Sequence, residues 1–263
     1  MRAHLLQLDP VWEDPPASLE RAAALASRVD TAPGDLILLP EMFDTGFSLH
    51  TPVTADRGRT LAFLSTLARE RGVYVQGGRT LLREDERLAH NHMTTVRPDG
   101  SVACDYAKVH PFTFGRETER FAPGRRVEVW AWTDATVCPA ICYDLRFPEL
   151  FRAGVLRGAE IFAIGACWPD ARHAHWRALA IARAIENQAF VLAVNRCGSD
   201  PHLRYAGGSI GVDPMGVVLG ELGDTPDVLS VEIDLAGLRA WRRTFPAVRD
   251  IRITDLRRGD VGG

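Results

Sequence analysis

The sequence predicts one α/β domain whose helices lie on the outside of buried sheets. Three observations lead there. Short, wholly apolar runs that end at proline or glycine alternate with longer segments whose apolar residues recur at helical spacing. Turn tetrapeptides join runs rich in β-formers and so mark hairpins. No low-complexity stretch, linker-like composition or fixed-period repeat divides residues 1–263, so a single domain is expected.

The elements follow in order. Arg2 to Leu8 reads as a strand, and Ser18 to Val29 as a helix with Leu19, Ala22, Ala23, Ala26 and Val29 on one face. Asp35 to Glu41 is a short apolar run stopped by Pro40, the pattern of a strand buried on both faces and ending at Glu41. Gly58 to Arg71 is helical, with Leu61, Leu64, Leu67 and Ala68 in register, and Val73 to Gly77 is a second buried strand. Ala89 to Val96 and Ser101 to Tyr106 flank the turn Arg97-Pro98-Asp99-Gly100 and form a hairpin. Thr136 to Ile141 is a strand ending at Cys142, and Pro148 opens a helix, where its missing N–H costs nothing. Ile161 to Ile164 is a strand, His175 to Gln188 a helix, and Phe190 to Asn195 a strand. Ser209 to Val212 and Val217 to Leu219 pair around Asp213-Pro214-Met215-Gly216. Leu229 to Ile233 is the last strand, and Asp234 is placed to cap a final helix to about Thr244.

Composition excludes several classes. Apolar residues at 46% and charged residues at 25% describe a globular chain with a sizeable core. A net charge of -3 offers no basic excess for phosphate, so no nucleic-acid partner is expected. The N-terminal run is too short for a signal peptide, and no apolar run approaches the length of a membrane span. A cytoplasmic location without membrane partners is the expectation. The five cysteines are an odd number with no Cys-x-x-Cys pair, which argues against a disulfide framework and a structural zinc site.

Lysine and arginine total 31, yet Lys108 is the only lysine. An ammonium is a compact point charge and a guanidinium a wide fork, so a tight site would reject the exchange. Lys108 shares its placement with Glu41 and Cys142, because each follows an apolar strand, where α/β folds build their sites. Singly, each has a bland reading as loop carboxylate, surface charge or buried filler. Together they form a coherent set. A carboxylate takes the proton of a thiol, the thiolate attacks a carbonyl carbon, and an ammonium with a backbone N–H steadies the resulting oxyanion. The same carboxylate then passes its proton to the leaving amine. No metal or other cofactor is needed.

The segments Leu39-Pro40-Glu41-Met42-Phe43, Tyr106-Ala107-Lys108-Val109-His110 and Ile141-Cys142-Tyr143-Asp144-Leu145-Arg146-Phe147-Pro148-Glu149 resemble, in order and spacing, the three catalytic signatures of the nitrilase (carbon–nitrogen hydrolase) superfamily. The similarity continues through Trp168-Pro169, His175-Trp176, Ala182 to Gln188, Asn195-Arg196 and Asp213 to Gly216, and covers essentially the whole chain. The resemblance implies a four-layer α-β-β-α sandwich and a homodimer. It implies Glu41 as general base, Lys108 as oxyanion-stabilising lysine, Cys142 as nucleophile and the backbone N–H of Tyr143 as second oxyanion donor. Glu117 matches the family's second glutamate, with Glu119 as its rival. The match is closest to the ω-amidase branch, which hydrolyses the terminal amide of 2-oxo acids such as 2-oxoglutaramate. Such a substrate carries a carboxylate, for which Arg146 and Arg172 are candidates, with Trp168 beside them as a substrate-binding residue. N-carbamoyl amidohydrolase and deaminated-glutathione amidase use the same residues, and a catalytically silent binding member is the alternative outside enzymes. Val109 and Pro111 depart from the family pattern, and Pro111 stiffens the loop leading to Glu117.

Other constellations have structural readings. His173 and His175, with His202, lack metal-ligand spacing. Arg183, Glu186 and Asn187 stand at i, i+3 and i+4, the spacing of an ion-pair and hydrogen-bond cluster on one helix.

Overall fold

The computed structural model describes residues 1–252. The first sheet contains β1 (Arg2–Gln7), β2 (Leu36–Leu38), β3 (Tyr74–Leu81), β4 (His90–Val96) and β5 (Val102–Ala107). The second contains β6 (Trp130–Trp132), β7 (Ala135–Ile141), β8 (Ile161–Ala166) and β9 (Phe190–Asn195). β10 (Cys197–Ser199) and β11 (Arg204–Ala206) pair with each other alone. β12 (Ile210–Val212) and β13 (Val218–Glu221) extend the second sheet, and β14 (Asp227–Glu232) returns to the first. The two six-stranded orders are β14-β1-β2-β3-β4-β5 and β13-β12-β9-β8-β7-β6. In each, a parallel core (β1-β2-β3 and β7-β8-β9) is flanked by antiparallel strands.

Alternation along the strands builds the layers. Ala3 and Leu5 of β1 face the second sheet and pack with Val137, Ile161, Ala163, Leu192 and Val194 in one apolar cluster. Leu6 and Leu8 point the other way, under α1 (Pro15–Ser27), α2 (Thr51–Thr54) having only four residues, and α3 (Arg59–Arg71) completing that layer. On the outer face of the second sheet lie α4 (Pro148–Leu156) and α5 (His173–Asn187), whose Phe151, Trp176, Ala180 and Ala184 cover Ala140, Phe162, Ile164 and Val191. The result is the expected α-β-β-α sandwich. α6 (Leu235–Thr244) follows β14, with the Asp234 carboxylate accepting from Gly237 N as the sequence predicts.

Several boundaries moved for identifiable reasons. α1 begins at Pro15 and not Ser18, because the Asp14 carboxylate caps it by accepting from Ala17 N at 3.1 Å and the prolines need no donor partner there. The run from Asp35 to Glu41 pairs only over Leu36–Leu38, and Glu41 lies in the turn beyond. β3 continues past Gly77 to Leu81, because Gly78 lets it slide beneath that turn. A Cβ at position 78 would stand 2.6 Å from Glu41 Cα and 2.5 Å from Met42 N. The sequence pattern did not anticipate β6, β10, β11 or α2, all four residues or shorter. Beyond residue 252, the single-domain expectation for 1–263 lies outside the described residues. Among the described residues no helix is long and apolar enough to cross a membrane, and all five cysteines are free.

Candidate active site

Parallel cores of both sheets end at the same edge of the sandwich, and the chain turns there carry the polar groups. Glu41 follows β2, Lys108 follows β5, Cys142 follows β7 and Cys167 follows β8. Lys108 continues its strand's ladder by donating its N–H to Asn91 O at 2.8 Å. Glu117 opens a short 3₁₀ turn, Glu117–Glu119, after Arg116 takes the left-handed conformation. That turn separates the two candidate glutamates. Glu117 is buried against Lys108, while Glu119 is exposed and pairs with Arg116 at 2.8 Å.

Lys108 is sealed in, with only 1% of its side chain accessible. Its Nζ donates to Glu41 Oε1 at 2.8 Å and to Glu117 Oε1 and Oε2 at 3.1 and 2.8 Å. Burial opposes the ammonium, but Glu117 and then Glu41 outweigh it and hold Lys108 well above its ordinary value. Burial raises the Glu117 carboxyl, and Lys108 pulls it part of the way back. Further donors fix both carboxylates. Asn91 Nδ2 reaches Glu41 Oε1 at 2.7 Å and Glu117 Oε1 at 2.9 Å, Phe112 N reaches Glu117 Oε2 at 2.6 Å, and Cys167 N reaches Glu41 Oε2 at 2.9 Å.

Cys142 starts a 3₁₀ turn with φ at 43°, a left-handed backbone that a side chain adopts only under constraint. Asp144 supplies the constraint. Its Oδ2 accepts from Ile141 N at 3.0 Å and Tyr106 Oη at 2.8 Å, and its Oδ1 accepts from His110 N at 3.0 Å and faces His110 Nδ1 at 2.8 Å. One buried carboxylate thereby joins the cysteine turn to both sides of Lys108. From α5, Arg183 clamps the far end by donating from Nε and Nη2 to Leu145 O at 3.1 and 2.8 Å. The helical cluster read from sequence is present too, with Arg183 Nη1 on Glu186 at 3.0 Å and Asn187 Nδ2 on Arg183 O at 3.0 Å. Burial pushes the Cys142 thiol well above the usual thiol range, Glu41 adds to that, and Lys108 opposes it.

A cavity of about 410 Å³ opens over these groups. Lys108, Cys142 and Tyr143 reach it, whereas the Glu41 and Glu117 side chains are fully buried. Arg146, Trp168 and Arg172 form one wall. The Arg146 guanidinium lies 4.8 Å from the Trp168 ring, and Trp168 Nε1 donates to Arg172 O at 2.8 Å. Asn195, at the end of β9, holds the Trp168 backbone from both sides, accepting from its N at 2.7 Å and donating to its O at 3.1 Å. The histidines do not converge: His175 contacts Arg146 at 3.2 Å, and His202 packs edge-on against Trp12. Among the described residues no group of three or more His, Cys, Asp or Glu side chains could hold a metal ion.

Asn91, Asp144 and the Cys167 and Phe112 amides were not singled out from the sequence. Asn91 left one weak trace, an amide inside a β-strand, where asparagine is disfavoured.

A four-layer sandwich with a sealed ammonium–carboxylate cluster and a thiol under one mouth defines a class of hydrolases that act on carbon–nitrogen bonds other than peptide bonds. The Carbon-nitrogen hydrolase family model matches residues 2–243, and the chain belongs to that family. It is 33% identical over 250 residues to the 2-oxoglutaramate amidase of Bacillus subtilis (strain 168), covering 94% of this chain and 96% of that one. It is 34% identical over 254 residues to the omega-amidase YafV of Yersinia enterocolitica, covering 95% and 96%. Among solved structures, XC1258 from Xanthomonas campestris, a CN-hydrolase superfamily protein with an arsenic adduct in the active site, superposes with a TM-score of 0.90 at 35% identity. That match covers 95% of this chain and 97% of XC1258.

Proposed function

We propose that this chain is a cysteine amidohydrolase that releases ammonia from small linear amides, and that its substrates are 2-oxo acid amides such as 2-oxoglutaramate. The observation that carries the reading is the Lys108 ammonium bound to Glu41 and Glu117 at the base of a cavity that Cys142 also lines. In this reading Glu41 removes the Cys142 proton as the sulfur attacks the amide carbon. In that first transfer the cluster of two carboxylates, one ammonium and a neutral thiol keeps its total charge, because the proton passes only from Cys142 to Glu41. Charge developing on the carbonyl oxygen is met by Lys108 and the Tyr143 N–H. Glu41 passes this proton to the amide nitrogen as ammonia leaves, takes a proton from the water that attacks the thioester, and returns it to the Cys142 sulfur as the carboxylic acid departs. Glu117 keeps Lys108 charged and aimed. The Arg146, Trp168 and Arg172 wall suits the carboxylate of a 2-oxo acid. No cofactor enters any step.

The proposal extends to one carbon–nitrogen hydrolase domain over residues 1–263, in a cytoplasmic homodimer. Exposed Ile185, Met215 and Val217 lie close together on α5 and the β12–β13 turn and offer apolar surface for a second copy.

Release of ammonia from 2-oxoglutaramate and from an N-carbamoyl amino acid, and release of the cysteinylglycine amine from deaminated glutathione, test the reading, with Cys142→Ala as control. The expected result is the highest kcat/KM on the 2-oxo acid amide and none in the control. A preference for the carbamoyl substrate or deaminated glutathione overturns the substrate assignment. Wild-type inactivity on every amide overturns the enzyme reading.

A further inference from the structure

We infer that Asn91 is a positioning residue that directs the proton of Cys142 to one oxygen, Glu41 Oε2, by closing the inner acceptor sites of both glutamates. The inference rests on the amidohydrolase reading above. Asn91 lies on β4, 1% exposed, and does not line the cavity, so it acts through other groups. Its backbone carbonyl receives Lys108 N, and its side-chain amide faces the two carboxylates that Lys108 bridges.

The acceptor count gives the reason. A carboxylate has about four acceptor positions. Glu117 receives Lys108 and Asn91 on Oε1, and Lys108 and Phe112 N on Oε2, so its positions are filled. Glu41 Oε1 receives Lys108 and Asn91 and is filled as well. Glu41 Oε2 receives Cys167 N alone among the described residues and so keeps one position for a proton. The Asn91 amide donates both of its N–H groups to this arrangement, while its own Oδ1 is buried with no partner among the described residues. A side chain serving packing alone would not leave that carbonyl stranded. Without Asn91, Oε1 of each glutamate regains an open position, and Glu117 competes with Glu41 for the proton.

Each carboxylate also loses a hydrogen-bond donor that favours its charged form. For Asn91→Leu the acid limb of the kcat/KM profile should therefore rise by about one pH unit. At pH 7 kcat should fall on the order of tenfold or more, with KM within about twofold because the cavity wall is untouched. Asn91→Ser, which keeps one hydroxyl donor, should fall between wild type and Asn91→Leu. It also serves as the test variant if Asn91→Leu does not fold, as judged by circular dichroism.

A second readout needs no substrate. The rate of Cys142 alkylation by iodoacetamide, followed by peptide mass spectrometry against pH, reports how readily the thiol gives up its proton. Its pH midpoint should move upward in both variants. An unmoved midpoint and acid limb in a folded variant overturns the inference, as does a rise in KM with kcat unchanged. Wild-type failure on every amide would instead count against the amidohydrolase reading, while the alkylation midpoint would still decide the role of Asn91.

Discussion

Replacing Lys108 by arginine keeps the charge and tests whether the compact shape of the ammonium is what the site requires. The side chain is 1% accessible, and Nζ already has three carboxylate oxygens at 2.8 to 3.1 Å and the Phe47 ring 5.7 Å away. A guanidinium is wider than the space those contacts enclose, and overpacking of this kind costs about 1–3 kcal/mol. For a chain of this size that lowers Tm by roughly 2–10 °C. The planar fork would also grip Glu41 and Glu117 in bidentate fashion, spreading its charge and turning it away from a substrate oxygen. Turnover should fall on the order of 10²-fold or more, as for loss of an oxyanion donor. The assay is steady-state ammonia release by wild type, Lys108→Arg and the control Arg83→Lys, whose side chain is 70% exposed and pairs with Glu86. The control should match wild type in rate and melting. Lys108→Arg with near-wild-type turnover and an unshifted Tm would refute both the oxyanion role and the tight fit.

Two further outcomes follow from buried carboxyls. Asp44 is 1% exposed, receives Thr60 Oγ1 at 2.6 Å, and is pushed by burial from 3.8 up to about 7. Between about pH 4 and 7 the native state therefore holds a proton that the unfolded chain releases, so stability falls as pH rises through that window, by on the order of 4 kcal/mol. Asp44→Asn should remove that slope and be the more stable protein at pH 8; urea unfolding of both at pH 5 and 8 checks it, and parallel pH profiles would count against the buried neutral carboxyl. Asp144→Ala leaves the Tyr106 hydroxyl and the Ile141 amide buried without their acceptor, so it should cost roughly 3–5 kcal/mol in urea unfolding and lower kcat by freeing the Cys142 turn from the Lys108 segment. Wild-type stability in that variant would show that the turn is held elsewhere.

The sandwich was legible because its central strands are buried on both faces and so read as unbroken apolar runs, as β8 and β9 do. Glu41 and Cys142 stood out because each breaks such a pattern where a strand stops, and Lys108 because it is the only lysine and follows the hairpin strand β5. What the pattern could not convey was contact across it. The choice between Glu117 and Glu119 depends on which side of a three-residue turn meets Lys108, and that is decided by the left-handed Arg116 and the fold around it. Asn91 and Asp144 act through partners 26 to 50 and 34 to 38 positions away, distances over which sequence periodicity carries no information. β6, Trp130–Trp132, is an edge strand three residues long, defined by its partner β7 more than by its own alternation.

The seclusion of Lys108 makes the chain its own reporter of opening. No other lysine occurs in the sequence, and this one has 1% of its side chain accessible behind two glutamates. An amine-directed reagent too large to enter the cavity can modify a lysine of the native protein only in molecules whose central cluster has come apart. The labelled fraction at residue 108, read against time, then measures how often the two sheets part at that edge. A tight-binding substrate analogue that holds the cluster together would slow the labelling, so a single mass-spectrometric peak would count closures of the site and unfolding of the core on one scale.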